Sequence, residues 1–174
     1  MEKKVTISQI ALKYGLYLGL VFIIISIITQ FMDLDMKTQQ NVGYINYVLA
    51  LVAIILAHKA FKEEGDGFMT IGQGLGIGTL LCLISGVLSA IFTYVYIKFI
   101  DDSMIGKIKD MQIEELEKRG MSDADIEQAM KMAGIFTSPE MMIVWIILGM
   151  VFIGFILSLI VSLFTKKVNP NFQL

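Results

Sequence analysis

Four long apolar runs, Tyr14 to Phe31, Val42 to Ala57, Ile71 to Ile97 and Met141 to Phe164, restrict this chain to one class of fold. Each is about as long as the roughly 17–25 residues a helix needs to cross a bilayer. The stretch from Leu16 to Ile25 has no polar face, and neither has the stretch from Trp145 to Leu157. A helix that is apolar all round belongs inside a large protein or in lipid. A chain of 174 residues has no interior large enough for four such helices. Composition agrees: 56% of residues are hydrophobic and 17% charged, against about a quarter charged in soluble domains. The expected fold is an all-α integral membrane bundle of four transmembrane helices, spanning about 10–32, 42–60, 70–100 and 139–165, in a single membrane domain.

The segments between the runs fix the connections. Lys3, Lys4 and Lys13 form a basic flank before the first run. No small-residue cleavage site follows that run, so it reads as an uncleaved span rather than a signal peptide. The polar stretch Asp33 to Asn41 makes spans one and two antiparallel neighbours. Lys62-Glu63-Glu64-Gly65-Asp66-Gly67 reads as a turn outside the hydrocarbon. Asp101 to Ser138 is the one sizeable polar region and carries two amphipathic stretches. Met104, Ile105, Ile108 and Met111 recur at helical spacing in the first. Gly120 breaks the pattern, Ser122 is placed to cap the second stretch, and Asp123, Asp125 and Glu127 follow in its first turn. Ile126, Met130 and Ala133 form its apolar stripe, and Gly134 reads as its stop. Ser138-Pro139-Glu140 starts the last helix.

Four spans place both termini on one side. Lys3, Lys4, Lys13, Lys59, Lys62, Lys166 and Lys167 lie on that side; Lys37, Lys98, Lys107, Lys109, Lys118, Arg119 and Lys131 lie on the other. The first set hugs the span ends on three separate segments, which favours cytoplasmic termini.

Gly72, Gly74, Gly76 and Gly78 alternate at the start of the third run, with Gly86 farther along. No GxGxxG, no following Lys-Ser/Thr and no preceding strand accompany them, so a phosphate loop is excluded. They read as close-packing positions, as do Ser158 and Ser162 on the last run. This makes the third helix central. Asp33 and Asp35 after the first run, and Asp101 and Asp102 after the third, would form an acidic cluster at one surface. Their simpler role is to mark where helices leave lipid. His58 reads as a headgroup-level residue beside Lys59, and Cys82 as a small buried apolar side chain. No Asp, Glu, Lys or Arg lies inside the runs, no serine has a fitting histidine and acid, and no HExxH motif is present. No enzyme, cofactor or metal is expected, and the net charge of −2 gives no field for nucleic acid.

Five strings carry a family likeness: Gly67-Phe68-Met69-Thr70-Ile71-Gly72-Gln73-Gly74, Tyr94-Val95-Tyr96-Ile97-Lys98-Phe99-Ile100-Asp101, Glu117-Lys118-Arg119-Gly120-Met121-Ser122, Phe136-Thr137-Ser138-Pro139, and Lys166-Lys167. Over nearly its whole length the chain resembles the small bacterial membrane proteins catalogued as domain of unknown function forty-one-ninety-nine. The resemblance implies a four-helix protein of the bacterial inner membrane with a long loop before the last helix. It carries over no catalytic or binding residue. The expected function is association with the lipid bilayer, a membrane partner or a second copy as a homo-oligomer. The alternative is an oligomeric small-solute transporter or channel, its path lined by Ser85, Ser89, Thr93 and the glycines.

Overall fold

The computed structural model describes residues 5–32, 34 and 36–168. Among them are six helices and no strand: α1 Ile7–Phe31, α2 Met36–Glu64, α3 Ile71–Phe99, α4 Ser103–Lys118, α5 Asp123–Phe136 and α6 Pro139–Thr165. Four stretches are long and apolar enough to cross a membrane: Ile7–Phe31, Asn41–Glu64, Ile71–Phe99 and Pro139–Thr165. The protein is therefore an all-α membrane protein with four spans. Asp33, Asp35, Lys3, Lys4 and the tail beyond Val168 lie outside the described residues.

Local chemistry sets the helix starts. Thr6 caps α1 and Gln9 reaches back to the Thr6 N–H, a reciprocal capping box. Thr70 and Gln73 repeat the device at α3: the Thr70 N–H donates to Gln73 Oε1 at 2.8 Å, and the Gln73 N–H donates to Thr70 Oγ1 at 3.2 Å. The second span, expected from residue 42, begins at Asn41, while the helix that carries it, α2, begins earlier, at Met36. Met36, Lys37, Gln39 and Gln40 are good helix formers, so the helix is longer than its apolar part. α3 has 29 residues, about 43 Å at 1.5 Å per residue, more than the roughly 30 Å of hydrocarbon.

Two compact units make up the chain: Met1–Ser89 with Ile147–Leu174, and Ala90–Ile146. In the first, α3 is the shared wall. Gly15 and Gly19 of α1 meet Leu81, Ile84, Ser85 and Leu88 of α3. Ile54 and His58 of α2 meet Gly78 and Gly74 of α3, and α6 lies along the remaining side. Ile10, Ala11, Leu18, Ala50, Ile54, Ala57, Ile77, Leu81 and Cys82 are buried among these helices. A short antiparallel bridge closes one end. The Met69 N–H donates to Lys167 O at 2.8 Å, and the Lys167 N–H donates to Met69 O at 2.9 Å.

In the second unit, α4 and α5 form a helical hairpin. The Met121 N–H donates to Leu116 O at 3.3 Å, and the Gly120 N–H donates to Glu117 O at 2.8 Å, around a Gly120 with φ of 75°. That is a Schellman stop, which needs the left-handed backbone glycine adopts freely. Ser122 then caps α5 through the Asp125 N–H. α5 continues two residues past the expected stop at Gly134, ending at Phe136. Gly134 is not in the positive-φ region, so it behaves as an ordinary helix residue. Ser138 caps α6 by accepting from the Met141 N–H at 3.3 Å.

Gly120→Ala is expected to destabilise the hairpin by about 1 kcal/mol, because a Cβ is strained at positive φ. Hydrogen exchange on the detergent-solubilised protein would read this as lost protection in the last turn of α4 and the first of α5, with α1 unchanged.

Candidate functional site

The first unit is apolar outside as well as in its core. Leu16, Leu20, Ile24 and Ile28 of α1, and Leu148, Phe152, Phe155, Ile160 and Leu163 of α6, are all exposed. Small and polar residues lie inside, with His58, Ser85, Ser158 and Ser162 fully buried. In lipid this arrangement is stable, because outward apolar side chains are already solvated and helices associate through close packing and hydrogen bonds.

The α3–α6 contact is a ladder with a four-residue step on each helix. A side chain built at Gly74 would start 2.5 Å from Ser162 Oγ. One at Gly78 would overlap Ser158, and one at Gly154 would overlap Cys82. One at Gly86 would start 2.9 Å from Met150 Cβ. Going up α3 through Gly74, Gly78, Cys82 and Gly86 thus goes down α6 through Ser162, Ser158, Gly154 and Met150. Rows at i±4 on antiparallel helices interlock this way when small residues let the backbones approach.

The alternating glycines are therefore not equivalent. Gly74 and Gly78 are enclosed, while Gly76 meets only Ile7 of α1 at 3.6 Å, an ordinary contact. Gly72 has nothing nearer than its own cap, Thr70 Oγ1, at 4.0 Å.

A polar node joins α2, α3 and α6 at the first rungs. His58 Nε2 lies 2.9 Å from Gly74 O, and Ser158 Oγ donates to the same carbonyl at 2.8 Å. A carbonyl only accepts, so Nε2 carries the imidazole proton. His58 Nδ1 lies 2.8 Å from Thr165 Oγ1, whose hydroxyl also reaches Val161 O at 2.8 Å. One turn farther along α2, Lys62 Nζ donates to Thr165 O at 3.0 Å. There its cation sits at the α6 C-terminus, where the helix dipole favours it. The reading of His58 as a headgroup-level residue gave it no packing role, whereas its ring is fully buried and bonded to α3 and α6. No pattern in the sequence marks a partner 107 residues away. Gly15, Gly19 and Gly154 also escaped notice. The four-residue spacing of Gly15 with Gly19, and of Gly154 with Ser158 and Ser162, was the signal available.

The acidic positions do not assemble into a site within the described part. Asp101 turns back on its own chain: Oδ1 accepts the Ser103 N–H at 2.9 Å, and Oδ2 accepts the Ser103 hydroxyl at 3.0 Å. The Ser103 N–H holds the Asp101 carboxyl below its usual range. Asp102 is the N-cap residue of α4 but makes no side-chain cap bond. Among the described residues no three His, Cys, Asp or Glu side chains lie close enough to hold a metal ion.

Fold and packing together define a small polytopic α-helical membrane protein built around a glycine- and serine-lined contact. The chain belongs to the family described as "Protein of unknown function (DUF4199)", whose model matches residues 13–167. No curated protein and no solved structure matches it.

Gly78→Ala is expected to lower the thermal midpoint in detergent, by the equivalent of about 1–3 kcal/mol for overpacking. Gly72→Ala, facing open space, should leave the midpoint unchanged or slightly raised. His58→Phe keeps an aromatic ring but removes both bonds, and should cost about 1–3 kcal/mol, the Gly74 carbonyl losing one of its two donors. Because the Asp101 carboxyl is held below its unfolded value, its contribution is present above the ordinary carboxylate range and is lost as pH falls through its folded value. Exchange protection in the first turn of α4 should fall on acidification in the native chain but not in Asp101→Asn.

Proposed function

We propose that this protein is a non-enzymatic scaffold of the bacterial inner membrane that acts by association, through its outward surface, with lipid, a membrane partner or a second copy. The observation that carries this reading is the use of the polar side chains. His58, Ser158 and Thr165 bond to the protein's own backbone or to one another. Ser85, the leading candidate to line a path, is fully buried and donates to Cys82 O within its own helix at 3.1 Å. Gly74, Gly78 and Gly154, which a channel would need as open lining, are filled by side chains of neighbouring helices. What remains for contact is the apolar outer surface of the spans and the hairpin of α4 and α5.

The proposed orientation has both termini in the cytoplasm. It is supported by lysines at span ends: Lys13 pairs with Glu64 at 3.3 Å, Lys59 with Glu63 at 3.7 Å, and Lys62 caps α6. Lys167 follows α6 directly, its ammonium 5.5 Å from the Phe68 ring centre. Basic residues held at span ends are those that set topology.

Two measurements test the reading. Purified protein in liposomes should give no ion or small-solute flux above protein-free liposomes. Flux that rises with the amount of protein would overturn the scaffold in favour of an oligomeric channel or transporter. Glu117→Cys, on the exposed face of α4, should react with an impermeant maleimide from outside spheroplasts; reaction only after the membrane is opened would reverse the orientation.

A further inference from the structure

The second unit carries an apolar patch that the packing of its own hairpin does not use. The inner faces of α4 and α5 are occupied: Ile105, Ile108, Gln112 and Leu116 are half-buried along one side of α4, and Ile126 is buried on α5. Met132, Ile135 and Phe136 lie elsewhere on α5, at i, i+3 and i+4, and are 64%, 66% and 54% exposed. Two turns earlier the same stripe is polar, at Asp125 and Gln128. The stripe therefore changes from polar to apolar over the last turn of α5.

That last turn adjoins the fourth span along the chain. Only Thr137 and Ser138 separate Phe136 from Pro139, where the fourth span begins. The level at which this span and the third leave lipid is marked within the same unit. Lys98 Nζ lies 3.7 Å from Glu140 Oε1 and donates to the Tyr94 hydroxyl at 2.8 Å. A charge pair with a tyrosine hydroxyl and the nearby Trp145 is the chemistry of a membrane–water interface. Phe99 and Ile100, at the end of α3, are exposed at the same end of the unit.

We propose that Met132, Ile135 and Phe136 are an interfacial anchor that seats the α4–α5 hairpin on the bilayer, with their side chains at the headgroup–acyl boundary. The occupant of the patch is lipid because only two residues separate it from the fourth span, whose first turns within the same unit expose Val144 and Trp145. The hairpin's charge points to apolar partition rather than headgroup attraction, since from Ser103 to Phe136 seven acids face five bases. An acidic hairpin gains nothing from anionic lipid, and a short apolar turn binds by the area it removes from water. The anchor holds the last turn of α5, the end of the hairpin nearest the fourth span, at the surface, while the acid-rich N-terminal turns of α5 beside the Gly120 turn stay in water. This deepens the association reading by naming the bilayer as one contact, and it rests only on the four spans of that reading.

The test uses the full chain in phosphatidylcholine nanodiscs, with Trp145→Phe as background so that one tryptophan reports. Phe136→Trp should emit at shorter wavelength than Glu127→Trp, which sits on the opposite, exposed side of α5. It should be quenched by lipids brominated high on the acyl chain, and its quenching by iodide should be several-fold weaker. Added anionic lipid or salt should change none of these. Iodide quenching equal to that of Glu127→Trp overturns the anchor. Protection from iodide without quenching by brominated lipid also overturns it, because protein rather than lipid would then cover the patch. A nitroxide on Ile135→Cys gives an independent reading: oxygen accessibility should exceed that of a nickel chelate, and the reverse order refutes the proposal. Solute flux in liposomes would sink the scaffold reading without altering these signals, so the two fail separately.

Discussion

The bundle depends on how closely α3 lets α6 approach. Hydrocarbon tails are as apolar as leucine, so burying more leucine between spans gains little in lipid. What holds two spans together is dispersion at short range, plus the few polar groups that find each other. Gly74, Gly78, Cys82 and Gly86 present a low ridge on α3, and Ser162, Ser158, Gly154 and Met150 fill it from α6. Because both rows step by four residues, one register satisfies every rung together. A slip would drive Met150 or Ser158 into backbone.

The polar node follows from that approach. Ser158 reaches Gly74 O because the glycine leaves the α3 backbone uncovered, and His58 reaches the same carbonyl from α2. Thr165 and Lys62 extend the connection to the end of α6, and the Met69–Lys167 bridge ties the residues flanking the two helices. Each bond contributes modestly, roughly 0.6 kcal/mol on average for hydrogen bonds between spans. Together they fix α2, α3 and α6 at one end. α1 is held differently, through Gly15 and Gly19 against α3 and the exposed Lys13–Glu64 pair. An exposed pair of this kind adds little stability, so glycine packing does most of that work.

The chain thus separates two kinds of surface. Inside the first unit, His58, Ser158 and Thr165 are hydrogen-bonded, while Asn46 Oδ1 and the hydroxyls of Thr79, Ser89 and Ser162 are buried without a partner among the described residues. Outside it, large apolar side chains meet lipid, and α6 has the least buried span, 11% against 39% for α3. The second unit is held by ordinary soluble-protein devices: a glycine stop at Gly120, the caps Ser122 and Ser138, and exposed i,i+4 pairs such as Lys118–Glu114 and Arg119–Glu115. Its one departure from that pattern is the apolar end of α5, at the border between the two solvents.

Much of this was legible in the residues. Spans can be read because an uninterrupted apolar run has only one stable environment at this chain length. Gly120, Ser122 and Ser138 can be read because a backbone angle or an unsatisfied N–H is a local requirement met by a local residue. The last span, expected over 139–165, is α6, and the two amphipathic stretches are α4 and α5. The class of fold, the number of apolar spans and most helix ends thus follow from the residues read along the chain. Only packing selects which glycines touch another helix, which serine faces which carbonyl, and the burial of His58 inside the bundle. Those choices depend on the rotation and register of one helix against another. Four-residue spacing limits that register, but only the packed partners select it.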